Sequence, residues 1–271
     1  MIELFEQDLK KEDRQSSKGN QLKWENNGIW YKADYMGYEG LAEYMISNLL
    51  KFSDLNDDEF VVYSPIEIKY KNQKYNGACS NNFLKDGWKI ITLERLFQNF
   101  YGRSLHNAIW TIHDRTERLK FIVDNVEKIT GLSDFGKYMN KLLTIDNFFL
   151  NEDRHTHNIA VLINDKKEFA LCPIFDNGAG LLSDTTMDYP LNEDMYKFID
   201  SVKAKTFSDD FEEQTEVSEK LYGMNLYFNF TKKDVDKLLD SEEASIYSIE
   251  IRERVRSVIY EQMRKYPIYF K

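Results

Sequence analysis

Two neighbouring stretches, LNEDRHTHNIAVLI and CPIFDNGAGLL, hold the side chains best suited to chemistry. Asp153 precedes Asn158 by five positions, and Asp176 follows eighteen residues later, directly before Asn177 and Gly178. Phosphoryl transfer needs little covalent help from a protein. It needs a carboxylate to orient and deprotonate the attacking hydroxyl, and oxygen ligands to hold Mg²⁺ against the phosphates. Mg²⁺ keeps several of its waters, so one amide and one carboxylate oxygen are enough. Asp153 is therefore expected as the catalytic base, with Asn158 and Asp176 as metal ligands. Each of the three alone reads as an ordinary turn residue; their order, their spacing and the two short strands between them give the set its meaning. His155 and His157 raise a competing zinc or two-metal hydrolase reading. A scaffold histidine at 155 and a solvent-facing one at 157 is the simpler expectation, and Arg154 is expected to do structural work beside them.

These residues must be held by elements that the sequence outlines. In QLKWENNGIWYKAD, aromatic and β-branched residues flank an Asn-Asn-Gly turn, which predicts a hairpin with Lys32 on its second strand. From Gly40 to Phe52 the apolar residues recur at spacings of three and four, which predicts a helix. FVVYSPIEIKY and QKYNGACS read as further strands, with Pro65 at an edge or an irregular connection. Beyond about residue 90 the pattern turns helical in TLERLFQNFYG, TERLKFIVDNVEKITG and SDFGKYMNKLLTIDNFFL, with Gly102 and Gly131 as C-terminal stops. NIAVLI and FALCPIF predict one hairpin inside this region, and helices resume after Pro190. The expected architecture is α+β and two-lobed: residues 1–90 form a small β-rich lobe with one helix, and residues 91–271 a larger helical lobe with the inserted hairpin.

Composition narrows the class. The chain has 271 residues and a formal charge of −10, which argues against general nucleic-acid binding, because a basic face is needed to displace counterions from phosphate backbones. Cys79 and Cys172 lie far apart without a CxxC spacing and are expected as reduced thiols. The opening MIELFEQDLKKEDRQ lacks the apolar run of a signal peptide, and nothing approaches the roughly 20 apolar residues of a membrane span. A cytoplasmic location is the expectation.

The run N-E-D-R-H-T-H-N resembles the N-x-D-R-H-x-x-N catalytic loop of HipA-like serine/threonine kinases, and P-I-F-D-N-G resembles their metal-binding segment. Protein kinases share the D-x-x-x-x-N interval followed by a D-x-G. SSKGNQLKW is similar to the family's phosphate loop, GIWYKAD to its ATP-lysine strand and GYEGLAEYMISNLL to its lobe-linking helix; GACSNNFL is similar to the compact CtkA-like branch. The likeness spans about residues 16–185, and the extra N-terminal subdomain of full-length HipA toxins is expected to be absent.

The resemblance implies a kinase that uses ATP and Mg²⁺, acts on protein Ser or Thr and phosphorylates itself. Ser17, Lys18, Gly19, Asn20 and Gln21 would cradle phosphate, and Lys32 would bind the α- and β-phosphates, held by Glu43 or by its rival Glu39 one turn earlier. Tyr63 to Ile66 would be the adenine-binding connection between the lobes. Ser16 or Ser17 would be an inhibitory autophosphorylation site, since a phosphoserine there repels ATP phosphates or drags the loop away. The partners implied are a protein substrate and an antitoxin or other regulator of the toxin–antitoxin type. A lipid or small-molecule kinase of related fold, and a nucleotide-binding pseudokinase, are the alternatives.

Overall fold

Asn27 and Gly28 both take positive φ, 52° and 76°. A two-residue turn with both centres left-handed matches the right-handed twist of its strands, so β3 (Lys23–Asn26) folds back on β4 (Ile29–Ala33) in the expected hairpin. Lys71 and Asn72 repeat the device at φ 46° and 64°, joining β5 (Ser64–Tyr70) to β6 (Gln73–Asn81). With the short strands β1 (Ile2–Glu3) and β2 (Leu9–Lys10), these form a six-stranded sheet in the order β1-β5-β6-β4-β3-β2. The computed structural model describes residues 1–10 and 21–271 of this α+β chain. Ser16, Ser17, Lys18, Gly19 and Asn20, named above for the phosphate loop and its regulation, lie outside the described residues.

β1 flanks β5 only at Ile68 and Lys69, so Pro65 sits at a locally open margin of the sheet, where proline is tolerated. Lys32 pairs with Ala78 and Ala33 with Gly77. A Cβ on Gly77 would lie 2.0 Å from the Lys32 carbonyl oxygen, so only glycine lets β6 approach β4 at that point. One side of the sheet buries Leu4, Trp24, Tyr31, Ala33, Ile68 and Tyr70. Helix α1 (Glu39–Leu50) is buried from Gly40 to Leu50, so it is enclosed on all faces and not amphipathic.

Contacts group the chain into two compact units, and neither is continuous in sequence. The first joins Met1–Phe83, Phe175–Val202 and Tyr227–Lys271. It contains the six-stranded sheet, α1, α6 (Met195–Ser201), α8 (Lys232–Leu239) and α9 (Ile249–Lys265). Its remote segments are tied by hydrogen bonds from Tyr44 Oη to Glu243, from Asn76 Nδ2 to the Ile246 carbonyl and from Tyr247 Oη to Asp34.

The second unit joins Leu84–Ile174 and Lys203–Leu226. Its helices are α2 (Leu93–Tyr101), α3 (Leu105–Trp110), α4 (Arg115–Thr130), α5 (Phe135–Phe149) and α7 (Phe211–Tyr222). Gly102 and Gly131 end α2 and α4 in the left-handed conformation, as expected. The expected hairpin is present as β8 (Ala160–Asn164) and β9 (Phe169–Leu171), but β7 (Trp88–Thr92) adds a third strand on the far side of β8. β7 runs straight into α2, so its five residues merge with the helical pattern in the sequence. α5 and α7 are joined by hydrogen bonds from Asn140 Nδ2 to Ser218 Oγ and from Asn147 Nδ2 to Thr215 Oγ1, at 2.9 and 2.8 Å. Among the described residues no helix is long and apolar enough to cross a membrane, and both cysteines are free thiols.

Candidate functional site

Within the first unit, Lys32 is fixed by the β4–β6 register and reaches two carboxylates at once. Its Nζ donates to Glu43 Oε1 at 2.7 Å and to Asp176 Oδ1 at 2.7 Å, with the Tyr63 hydroxyl at 3.5 Å and the Tyr63 ring centroid at 5.0 Å. Burial by itself would lower the lysine's pKa; the Asp176 and Glu43 charges override it and hold the ammonium well above its ordinary value. Glu43 projects from the buried helix α1, and its second oxygen accepts from Asn177 N at 3.0 Å. One carboxylate thus fixes the lysine and also the backbone just after Asp176. Glu39 accepts from the N–H groups of Tyr35, Met36 and Gly37 at 3.2, 2.7 and 3.1 Å and organises the turn before α1. Glu43, and not Glu39, is therefore the residue on Lys32.

Asp176 adopts φ 62°. A left-handed conformation at a non-glycine residue costs on the order of 1 kcal/mol or more and tends to mark functional positions. The Asp176 carboxylate is aimed at Lys32.

Tyr63 and Ile66 part company. The Tyr63 side chain joins the Lys32 cluster, but its backbone is committed to α1: its N–H donates to Ser47 Oγ and its carbonyl accepts from Asn48 Nδ2, both at 3.0 Å. Ile66 pairs with Gly77 and packs on the sheet core, away from the cluster. The chain first passes from one unit to the other at Phe83–Leu84. The tight Lys71-Asn72 turn returns the chain into the same sheet, so β6 must be completed first. Gln21 is partly buried.

Within the second unit, α5 stops at Leu150, which is left-handed at φ 56°, and the Asp153 loop follows. Arg154 Nε donates to both oxygens of Asp146 at 3.1 and 3.0 Å, its Nη1 donates to the Asn158 carbonyl at 3.3 Å, and Asn151 adds a bond to Asp146 at 3.0 Å. Burial raises the Asp146 carboxyl above its ordinary value, and Arg154 offsets only part of that. The loop is also pinned by Thr156 Oγ1, which donates to Glu94, the carboxylate that receives the N–H groups of Leu105 and His106. On this base Asn158 Nδ2 donates to the Asp153 carbonyl at 2.7 Å and to Asp153 Oδ2 at 3.1 Å. With Nδ2 so used, Oδ1 is the Asn158 atom suited to a cation. His155 Nε2 lies 3.8 Å from Asp153 Oδ1, while His157 is exposed.

Lys205 Nζ also lies 3.8 Å from Asp153 Oδ1. The sequence offered no sign of it, because Lys205 belongs to a segment far along the chain with no motif of its own.

Among the described residues no group of three or more His, Cys, Asp or Glu side chains could hold a metal, so the zinc-type hydrolase reading has no ligand cluster. Taken singly, the Asn158 amide oxygen in the second unit and the Asp176 carboxylate in the first are hard donors of the type Mg²⁺ prefers.

No protein-family model matches the chain, and no curated protein does. Among solved structures, the proinflammatory kinase CtkA of Helicobacter pylori superposes with a TM-score of 0.59 over 90% of both chains at 16% identity. HipA of Shewanella oneidensis MR-1, from a toxin–antitoxin complex with HipB and operator DNA, matches at 12% identity and a TM-score of 0.45 over 88% of this chain and 58% of HipA. At such identities the likeness concerns architecture, and the CtkA superposition covers nearly all of both chains: this chain shares the α+β fold of the CtkA kinase.

Proposed function

We propose that the chain is an ATP- and Mg²⁺-dependent kinase that transfers the γ-phosphoryl group to Ser or Thr of a protein, itself included. The observation that carries this reading is Lys32, held at 2.7 Å by both Glu43 and Asp176, which are 11 and 144 positions away in sequence. A lysine fixed by a helix glutamate, beside an aspartate that opens a D-x-G, is the arrangement by which kinases hold nucleotide phosphates and their metal. In this reading Lys32 binds the α- and β-phosphates, Asn158 and Asp176 hold Mg²⁺, and Asp153 accepts the proton of the acceptor hydroxyl. Bound Mg²⁺ would neutralise charge on the phosphates. Asn158 supports the base by donating to Asp153 Oδ2, which orients the carboxylate.

The test is incubation of the purified chain with γ-labelled ATP and Mg²⁺, with and without protein acceptors, followed by mass spectrometry. Phosphate on Ser or Thr supports the reading, whereas label released only as free phosphate, or no turnover at all, overturns it. Peptide mapping in the same assay reports on Ser16 and Ser17, which belong to the reading as autophosphorylation sites. Asp153→Asn is expected to lower transfer by about 100-fold or more, because general-base assistance is lost, while ATP binding stays within a few-fold. Retention of more than about a tenth of the wild-type rate removes the base role from Asp153.

A further inference from the structure

The loop between Asp153 and Asn158 contains one guanidinium, and it serves the fold: Arg154 grips Asp146, and both side chains are only 3% exposed. Thr156 is buried and tied to Glu94. Phosphoryl transfer develops charge on the oxygens of the migrating group, and a cation placed there in advance stabilises the transition state. Lys205 brings a cation beside Asp153 from outside the loop, with its Nζ 3.8 Å from Asp153 Oδ1 and its side chain 39% exposed.

Its position is built into the unit. Thr206 Oγ1 donates to the Arg154 carbonyl at 2.6 Å and is buried, so the bond between residues 206 and 154 sets residue 205 beside residue 153. On the other side, the carbonyl of Phe207, a fully buried residue, accepts from Arg118 Nη1 at 2.9 Å, and Ala204 N closes the turn onto the Asp209 carbonyl at 3.1 Å. Ala204, Thr206 and Phe207 are all buried, and Lys205 is the residue among them that reaches outward.

We infer that Lys205 is the cationic group that stabilises the migrating phosphoryl group and aligns Asp153, a catalytic role resting on the kinase reading above. In the step, the acceptor oxygen bonds to the γ-phosphorus, and the bond to the β,γ-bridging oxygen breaks with its electron pair left on ADP. The hydroxyl proton passes to Asp153. Lys205 forms no covalent bond and donates hydrogen bonds to the phosphoryl oxygens. Because this interaction strengthens as charge develops, it acts on kcat more than on ATP affinity.

The test uses the full chain as wild type, Lys205→Ala, Lys205→Met and Lys205→Arg, measuring kcat and KM with γ-labelled ATP, calorimetric ATP affinity and thermal unfolding. Loss of one such donor predicts a kcat lower by about 100-fold in the Ala and Met variants. ATP affinity should stay within a few-fold and the melting temperature near wild type, and Arg, which keeps the charge, should recover part of the rate. Wild-type kcat in the Ala and Met variants, a fall in ATP affinity that accounts for the lost rate, no recovery with Arg, or unfolding of both the Ala and Met variants overturns the assignment. If wild type itself transfers no phosphate, the kinase reading fails and this role with it; an active wild type with equally active variants overturns the Lys205 role alone.

Discussion

Lys32 satisfies two carboxylates, so substitutions around it have different consequences. Asp176→Ala removes the carboxylate proposed to hold Mg²⁺ and leaves the Lys32–Glu43 bond in place, while Lys32→Met leaves Glu43 and Asp176 facing each other without a cation. A charge-assisted contact is worth about 1.5–3 kcal/mol, so either change is expected to weaken Mg-ATP binding by about 10- to 100-fold. Calorimetric titration with unchanged nucleotide affinity in both variants would remove these residues from the phosphate site. Arg154 sits at the other extreme, since its role is to compensate a buried carboxylate. Arg154→Met strands Asp146 and is expected to cost about 3–5 kcal/mol, whereas the double change Asp146→Leu with Arg154→Met regains much of that loss. Urea unfolding checks it; a single variant within about 1 kcal/mol of wild type would show that Asp146 is relieved by water or by its other donors.

At the scale of elements, β4 presents Lys32 and α1 presents Glu43, and both depend on the close approach of β6. Gly77→Ala would thrust a methyl to 2.0 Å from the Lys32 carbonyl oxygen, a backbone atom that cannot swing aside. The strands must separate, at a cost of about 1–3 kcal/mol or more. Loss of melting temperature together with weakened ATP binding is the expected result, because the displaced strand carries the lysine. A variant with wild-type stability and affinity would mean that the sheet relaxes without moving β4. The strand–turn–helix from β4 to α1 is tightened further by Glu39, whose carboxylate receives three successive N–H groups.

The first unit is assembled from three stretches of chain, and Asp34 stands at one of the joins. Its carboxylate accepts from Gly40 N at 2.6 Å at the start of α1 and from Tyr247 Oη at 2.8 Å in the last stretch. Burial, with the Glu39 charge beside it, pushes the Asp34 carboxyl up to about 8. Between the ordinary carboxylate value near 4 and about 8, the folded chain holds a proton that the unfolded chain has released. The stabilising contribution is therefore complete at acid pH and is lost as pH rises through about 8. Asp34→Asn carries no such proton. Thermal unfolding across pH 5 to 9 is expected to show wild type losing ground to Asp34→Asn as pH rises; a constant difference between the two would show that Asp34 titrates normally.

The hairpin turn at Asn27-Gly28, the helix stops at Gly102 and Gly131, the run of α1 and the hairpin of β8 and β9 were legible in the sequence, because each is a local preference written in adjacent residues. The spacing of Asp153, Asn158 and Asp176 marks them in the sequence as the proposed catalytic set. What only the tertiary structure decided concerns partners far apart in the chain. It chose Glu43 over Glu39, because helix phase and the turn before α1 direct one carboxylate to Lys32 and the other to the backbone. It separated Tyr63 from Ile66, because alternate residues of a strand and its approach face different neighbours. It brought Lys205 to Asp153 through the bond between Thr206 and Arg154, residues 52 positions apart. Local sequence fixes dihedral preference and periodicity, whereas a contact between distant residues depends on how the elements pack, and no short window of sequence contains that information.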